Sequence, residues 1–222
     1  IKVNIQGIPD YEAAMQKRFA ERNFGDVVLV PRNMPKQVYE KYFIPLNDMQ
    51  IENRIYFPRN WEFAGNHYAY TQGVIAEGLV YNKRLLAANG INAGPATLDE
   101  LMQAAQQLNK GGMVALALNI GAAWPLQQWE KAAIAISGNG HYYDEMVKDE
   151  RPFAKGKPYY ESLRIAHQLF TTALSEKDFI NNQWESSKVS FIENKIAMLY
   201  LGNWVIPQLI EAGMKGDDIG FV

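Results

Sequence analysis

Tryptophan and asparagine placed just behind apolar runs are the residues of this chain with the clearest chemical use. "LYLGNWV" (199–205) sets Asn203 and Trp204 behind the run Ile196–Leu201, and "ALNIGAAWP" (117–125) sets Trp124 behind the run 113–119. "VLVPRN" (28–33) sets Arg32 and Asn33 behind the run 27–30. An indole offers a flat apolar face, while amide and guanidinium groups offer hydrogen bonds. Together they suit a neutral polar ring whose C–H face lies on the indole while its hydroxyls meet the polar groups. If the runs are strands of an open α/β sheet, ligand sits beyond their carboxyl ends. Trp124 and Trp204 are then expected to face a shared gap. One such Trp alone reads more readily as core; two in the same topological position, one preceded by Gly-Asn, favour binding.

Other chemistries find little support. There is no cysteine, which excludes thiol catalysis, disulfides and thiolate metal sites. His67, His141 and His167 are scattered and form no HxxxH or HExxH pattern, so no metal site is expected. "SGNGHY" (137–142) lacks both the GxGxxG register and GK[ST], and reads as a turn. No GxSxG elbow exists. Asp99/Glu100, Asp144/Glu145 and Asp149/Glu150 are adjacent in sequence, which points the two carboxylates apart and suits solvated faces. No enzyme is expected and no cofactor is implied. A net charge of −2, with both signs interspersed, argues against nucleic acid as a partner. No apolar run is long enough to span a membrane.

The elements that would position these residues alternate between strand and helix. "IKVNI" (1–5) alternates apolar and polar as a strand does. Asp10 can cap a helix from Tyr11 to about Arg22, and "VVLVP" (27–31) has the continuous apolar character of a buried parallel strand. Strand, helix, strand is the unit of an α/β fold. Two β-rich runs, His67–Tyr70 and Val74–Tyr81, joined through Thr71, Gln72 and Gly73, mark a crossing between lobes. A short helix in 82–90 stops at Gly90. Thr97 and Glu100 form a capping box ahead of a helix that ends at Gly111 and Gly112. The strand 113–119 follows. Pro125 then suits the first turn of a helix carrying Trp129, Ala132, Ala133 and Ile136, a spacing that makes Trp129 core. Residues 138–158 read as polar loop or hairpin, Tyr159–Leu174 as an amphipathic helix, and Ser187–Asn194 as a shorter one. The chain opens on Ile1 and closes on "DDIGFV", where a strand starts, and it is read as a piece of a longer protein.

"GLVYNKRLLAANGI" followed by "PATLDELMQAAQQL", then "MVALALNIGAAWP" and "FIENKIAMLYLGNW", together resemble the family 1 extracellular solute-binding proteins of ABC importers, the group that includes maltose-binding protein. "GDVVLVP" is similar to that family's Pro-Asp-Val-Val strand, with Gly25 where proline is usual. The resemblance implies a two-lobed, periplasmic-binding-protein-like (type II) α/β fold, here a fragment with an incomplete first lobe. Residues 1–72 would be that partial N-terminal lobe, and 73–222 most of the C-terminal lobe, the better ordered half. It implies a sugar or oligosaccharide held between lobes by hinge closure and delivered to a membrane permease, in the periplasm or outside the cell, with lipid anchoring one form of this. Trp204 matches the tryptophan of the family's "G.W" motif, and Trp124 an aromatic that follows the matching strand. Asn203 lies within that motif, and Arg32 and Asn33 match residues lining the cleft from the first lobe. Glu77, near the crossing, would accept sugar hydroxyls. Two readings stay beside this one: a receptor of the same fold for an amino acid or polyamine, and a carbohydrate-active enzyme, which needs two facing carboxylates beside the tryptophans.

Overall fold

The computed structural model describes residues 1–222 apart from Phe179, Asn182 and Gln183 and the side chain of Glu52. The chain divides into two compact units, residues 1–74 and 75–222.

In the first unit, helix α1 (Tyr11–Ala20) buries Met15 and Phe19. A short helix α2 (Tyr39–Tyr42) follows, and β1 (Glu62–Phe63) pairs with β2 (Asn66–His67) as a two-stranded antiparallel ladder. The core is aromatic. Phe19 meets Phe24, Tyr42 and Phe43 at ring-centroid distances of 4.6, 5.0 and 5.7 Å, and Tyr39 meets Tyr68 at 6.0 Å. The two segments expected as strands here, 1–5 and 27–31, are irregular. Both have strand-like composition, but neither has a ladder partner among the described residues, and a strand is stable only when its N–H and C=O groups are paired. Val27 is left 92% exposed and Leu29 53%. The β-rich run 67–70 likewise contributes only His67 to a ladder.

The second unit is a mixed four-stranded sheet in the order β4-β5-β3-β6. Its strands are β3 (Glu77–Asn82), β4 (Val114–Ala117), β5 (Ile196–Gly202) and β6 (Ile219–Phe221). β4 and β5 run parallel, with Leu116 opposite Met198. β3 runs antiparallel to β5, with Glu77 opposite Gly202, and antiparallel to β6. β3 therefore begins where β5 ends, three residues later than the apolar run from Val74 suggests; Val74 and Ile75 remain exposed.

Both faces of the sheet are covered, so these strands are apolar at successive positions rather than at alternate ones. On one face Leu79 and Tyr81 of β3, Leu116 of β4 and Met198 and Tyr200 of β5 pack against four helices: α3 (Lys83–Ala88), α4 (Leu98–Lys110), α5 (Gln127–Ser137) and α7 (Pro158–Thr171). On the other face Val80, Ala117, Leu199 and Leu201 pack against Phe191 of α8 (Trp184–Ile192) and Leu209 of α9 (Val205–Glu211). Each fully buried Leu or Phe contributes roughly 1.5–3 kcal/mol, so this double layer is where the stability of the unit lies.

Asp10, expected to cap α1, is left-handed (φ 47°) and makes no side-chain cap bond; in the second unit the local signals behave as their chemistry dictates, with two corrections. Thr97 caps α4 by accepting from the Glu100 N–H at 3.2 Å, but Glu100 reaches one residue past the cap, taking the Ala96 N–H at 2.7 Å. The polar stretch 138–158 is not a hairpin. It holds a short helix, α6 (Tyr142–Met146), anchored by Tyr142, whose buried hydroxyl accepts from the Tyr159 N–H at 3.2 Å. The buried Asn82 caps α3 through the Leu85 N–H (3.0 Å) and donates to Asn194 Oδ1 (2.8 Å). It thereby joins the "YNK" and "ENKIAM" segments, which stand 112 residues apart.

Candidate functional site: an aromatic cluster at two parallel strand ends

β4 and β5 are parallel neighbours, so their carboxyl ends lie side by side, and the segments leaving them bring Trp124 and Trp204 together. The two ring centroids are 5.6 Å apart, with their planes tilted 52°. A third indole, Trp184 at the start of α8, stands edge-on to both, 5.7 Å from Trp124 and 5.6 Å from Trp204. All three are half-buried and lean on the core layer formed by Leu199, Leu201 and Val205. A ring sandwiched between two indoles would hold their centroids about 7–8 Å apart, two contacts of 3.5–4.0 Å. At 5.6 Å the indoles touch. The expected pair of plates across a gap is instead one continuous aromatic surface with three rims.

The residues before Trp204 explain how it comes to lie there. A Cβ at Gly202 would fall inside the van der Waals envelope of Trp204 Nε1 and Cδ1, and would also crowd Ile75. Glycine lets the indole fold back over the strand end. Asn203 then clasps the incoming chain at one residue: its N–H donates to the Ala76 carbonyl (2.8 Å), and its Oδ1 accepts from the Ala76 N–H (3.2 Å). The backbone and Oδ1 of Asn203 thus extend the β3–β5 ladder by one step, and Nδ2 remains for other partners.

Glu77 stands close in the ladder but on the other side. It shares parity with Leu79 and Tyr81, which face α5, whereas the indoles lean on the opposite layer. Its carboxylate binds Lys131 Nζ at 2.5 Å. With the amide of the buried Gln128 turned nitrogen-first, Gln128 also donates to Glu77 Oε1 at 2.9 Å. Burial first, then the nearby Glu77 charge and Tyr143, pushes the Tyr200 hydroxyl up to about 12. Trp129, expected as core, is sealed there, its ring 4.8 Å from that of Tyr200.

Arg32 and Asn33 belong to the first unit. The Arg32 N–H donates to both carboxylate oxygens of Glu12 (3.2 and 3.1 Å), which pins this turn to α1 and leaves the guanidinium side exposed. Asn33 lines a cleft of about 200 Å³ together with Glu12, Gln16, Met34 and Tyr42.

Sequence reasoning missed Trp184. Its helix was expected to begin at Ser187, and nothing about a lone tryptophan in "NNQWESS" marks it as the neighbour of two others. The usable signal lies four residues on: Lys188 sits one turn away and places its ammonium 5.0 Å from the Trp184 ring centroid, a cation–π contact. The same ammonium reaches Glu185 (2.6 Å) and Gln208 (3.0 Å), tying α8 to α9 beside the cluster. Among the described residues no group of three or more His, Asp and Glu side chains could hold a metal, and no helix is long and apolar enough to cross a membrane.

A mixed sheet covered by helices on both faces, with aromatic side chains gathered at the ends of two parallel strands, is the architecture of a small-molecule-binding α/β protein. Comparison with known proteins makes this specific. The profile of the bacterial extracellular solute-binding protein family matches residues 1–221, and the chain belongs to that family. Its fold is that of solved solute-binding proteins. A binding protein of an ABC transporter from Bifidobacterium animalis subsp. lactis, in complex with mannotriose, superposes with a TM-score of 0.80 at 25% identity, over 100% of this chain and 55% of that one. The RafE binding protein in complex with raffinose gives a TM-score of 0.81 at 19% identity, over 99% and 59%. Among curated proteins, the maltotriose-binding protein of Pyrococcus abyssi is 23% identical over 153 residues, which is 69% of this chain and 30% of that one. The present chain thus spans less than half the length of the curated relatives it matches and a little over half that of the solved ones. Family and neighbours are binding proteins.

Proposed function

We propose that this chain carries the aromatic half of the binding cleft of a sugar receptor, which serves a bacterial ABC importer and passes an oligosaccharide to its membrane permease without turning it over. The observation that carries the reading is the three-indole surface beyond the carboxyl ends of β4 and β5. Pyranose rings present flat C–H faces, and the parts of the indoles left accessible can cover them without requiring charge on the ligand. The ligands named for the related proteins, mannotriose, raffinose and maltotriose, share that chemistry. Residues 1–72 and 73–222 correspond in this reading to parts of two lobes, and Arg32 and Asn33 supply hydrogen bonds from the first. Ligand that contacts both lobes favours a closed state, and a preference of about 5.5 kcal/mol is needed to swing the equilibrium from 1:99 to 99:1. The receptor acts in the periplasm or at the cell exterior, anchored by lipid in organisms that lack a periplasm.

Glu77 takes a supporting part rather than a direct one, because Lys131 already holds its carboxylate. The same fact weakens the carbohydrate-active enzyme reading, which needs two free facing carboxylates beside the indoles. The test is a tryptophan-fluorescence titration of the full-length protein with mannotriose, raffinose and maltotriose. At least one sugar gives a saturable shift and is recovered unhydrolysed, and Trp204→Ala weakens its binding about 30-fold or more, as for the centre of an interface. If none of a broad saccharide panel shifts the emission, the reading fails.

A further inference from the structure

The geometry assigns to Glu176 the role of positioning residue for the aromatic surface, an inference that rests on the sugar-receptor reading for its effect on affinity but not for its effect on structure. Glu176 is only 7% exposed and follows α7 by a few residues. Its carboxylate accepts from two consecutive backbone N–H groups, those of Leu118 (2.8 Å) and Asn119 (2.6 Å), immediately beyond β4. β4 is the edge strand of the sheet, and the segment carrying Glu176 runs along its outer side, where the Leu116 N–H donates to the Leu174 carbonyl at 3.3 Å. Beyond that point no strand continues among the described residues, and the carboxylate takes over the two N–H groups that a neighbouring strand would otherwise satisfy.

Two successive N–H groups converging on one anion form a nest, the device by which a turn of backbone grips a negative charge. The backbone has the matching form. Asn119 is left-handed, with φ 55° and ψ 36°, and is 1% exposed. Four residues on, Ala123 takes φ 60° and ψ −54°, a conformation costly for a residue with a Cβ that persists only where its surroundings impose it. Trp124 is the next residue. The path from strand end to indole, residues 118–123, is thus six residues long, begins at a backbone fixed by a buried charge and ends at a strained joint. Charge-assisted hydrogen bonds are about twice as strong as neutral ones, so the carboxylate at the root of the loop determines how firmly Trp124 stands against Trp184 and Trp204.

Glu176→Gln keeps the shape, removes the charge and presents an amide nitrogen to one of the two N–H groups. The first readout is the exciton couplet in the circular dichroism of the full-length protein, which arises from indoles in contact and needs no ligand. The second is affinity for mannotriose, raffinose or maltotriose, whichever binds the parent protein. Glu176→Gln is expected to reduce the couplet and to weaken binding about tenfold, the loss of one charge-assisted hydrogen bond. Leu86→Ala, a core truncation on α3 away from the Glu176 segment, lowers the melting temperature and leaves both readouts unchanged. Glu176→Asp, which keeps the charge but withdraws it by one methylene, gives an intermediate couplet and carries the test if the Gln variant does not fold. A couplet and an affinity at parental values in the Glu176 variants overturn the assignment, as does a couplet that Leu86→Ala reduces equally. If no sugar binds the parent protein, the receptor reading fails and the couplet alone decides the role of Glu176.

Discussion

Val27–Pro31 and Ile196–Gly202 look alike as sequence, since each is a nearly unbroken apolar run of strand length ending beside a polar or aromatic cluster. In the structure they are opposites. Ile196–Gly202 is a central strand, hydrogen-bonded on both edges and covered on both faces, with Met198 and Leu199 fully buried. Val27–Pro31 is irregular, alternating exposed and half-buried positions, with only Pro31 buried and the Leu29 carbonyl accepting from the Tyr11 hydroxyl at 2.7 Å. Apolar content specifies a buried strand only where neighbours complete the ladder. The contrast extends to the units that hold these segments. Residues 75–222 carry a four-stranded sheet with two core layers, and residues 1–74 carry an aromatic cluster and one two-residue ladder.

The sharpest way to break this comparison is amide hydrogen exchange. Amides of Val80, Met198 and Leu199 should exchange roughly a thousandfold or more slowly than those of residues 27–30, because core strands open only near the global unfolding free energy; comparable rates would abolish the distinction. Paired truncations come next. Leu199→Ala should cost about 2–5 kcal/mol in denaturant unfolding, whereas Val27→Ala should fall within about 0.5 kcal/mol, as surface substitutions do. Gly202→Ala should cost about 1–3 kcal/mol by overpacking and should also shift tryptophan emission, since the new methyl displaces Trp204. Asn203→Ala should cost about 1 kcal/mol, one net hydrogen bond, and speed exchange at Ala76 while leaving the centre of the sheet alone. The smallest effect concerns pH. Tyr200 is raised from 10.0 to about 12, chiefly by burial and then by Glu77 and Tyr143. The folded state holds that proton more tightly than the unfolded chain. The associated stability is therefore fully present below pH 10 and is lost as pH climbs toward 12. Alkaline unfolding should steepen over that window, and Tyr200→Phe should flatten it.

Much of the second unit was legible in the sequence, because its cues are local. Thr97 starts α4 through its side-chain cap, Pro125 sits in the tight turn Trp124–Leu126 that leads into α5, and Gly138 stops α5 in a left-handed conformation, so these helices lie where expected. The positions of Trp124 and Trp204 followed from strand ends, and their closeness follows from β4 and β5 being parallel neighbours. What escaped notice depends on partners distant in the chain. Trp184 joins the cluster only because α8 packs on β5. Glu77 reads as a free carboxylate until the pairing of β3 with β5 sets it beside α5 and Lys131. Glu176 carries no signal in "LSEKD", since its two N–H partners lie 58 and 57 residues away. The segment 1–5 alternates as a strand should, and alternation says nothing about whether a neighbour is present.

The central claim is that three half-buried indoles form one seat for a sugar ring, and the indole N–H resonances of a tryptophan-labelled full-length protein test it most directly. Of the five tryptophans, Trp124, Trp184 and Trp204 should shift together and saturably as mannotriose, raffinose or maltotriose is added, while Trp129, sealed against Tyr200, stays in place. A saccharide panel that moves none of the three, or a ligand that moves Trp129 instead, contradicts the account.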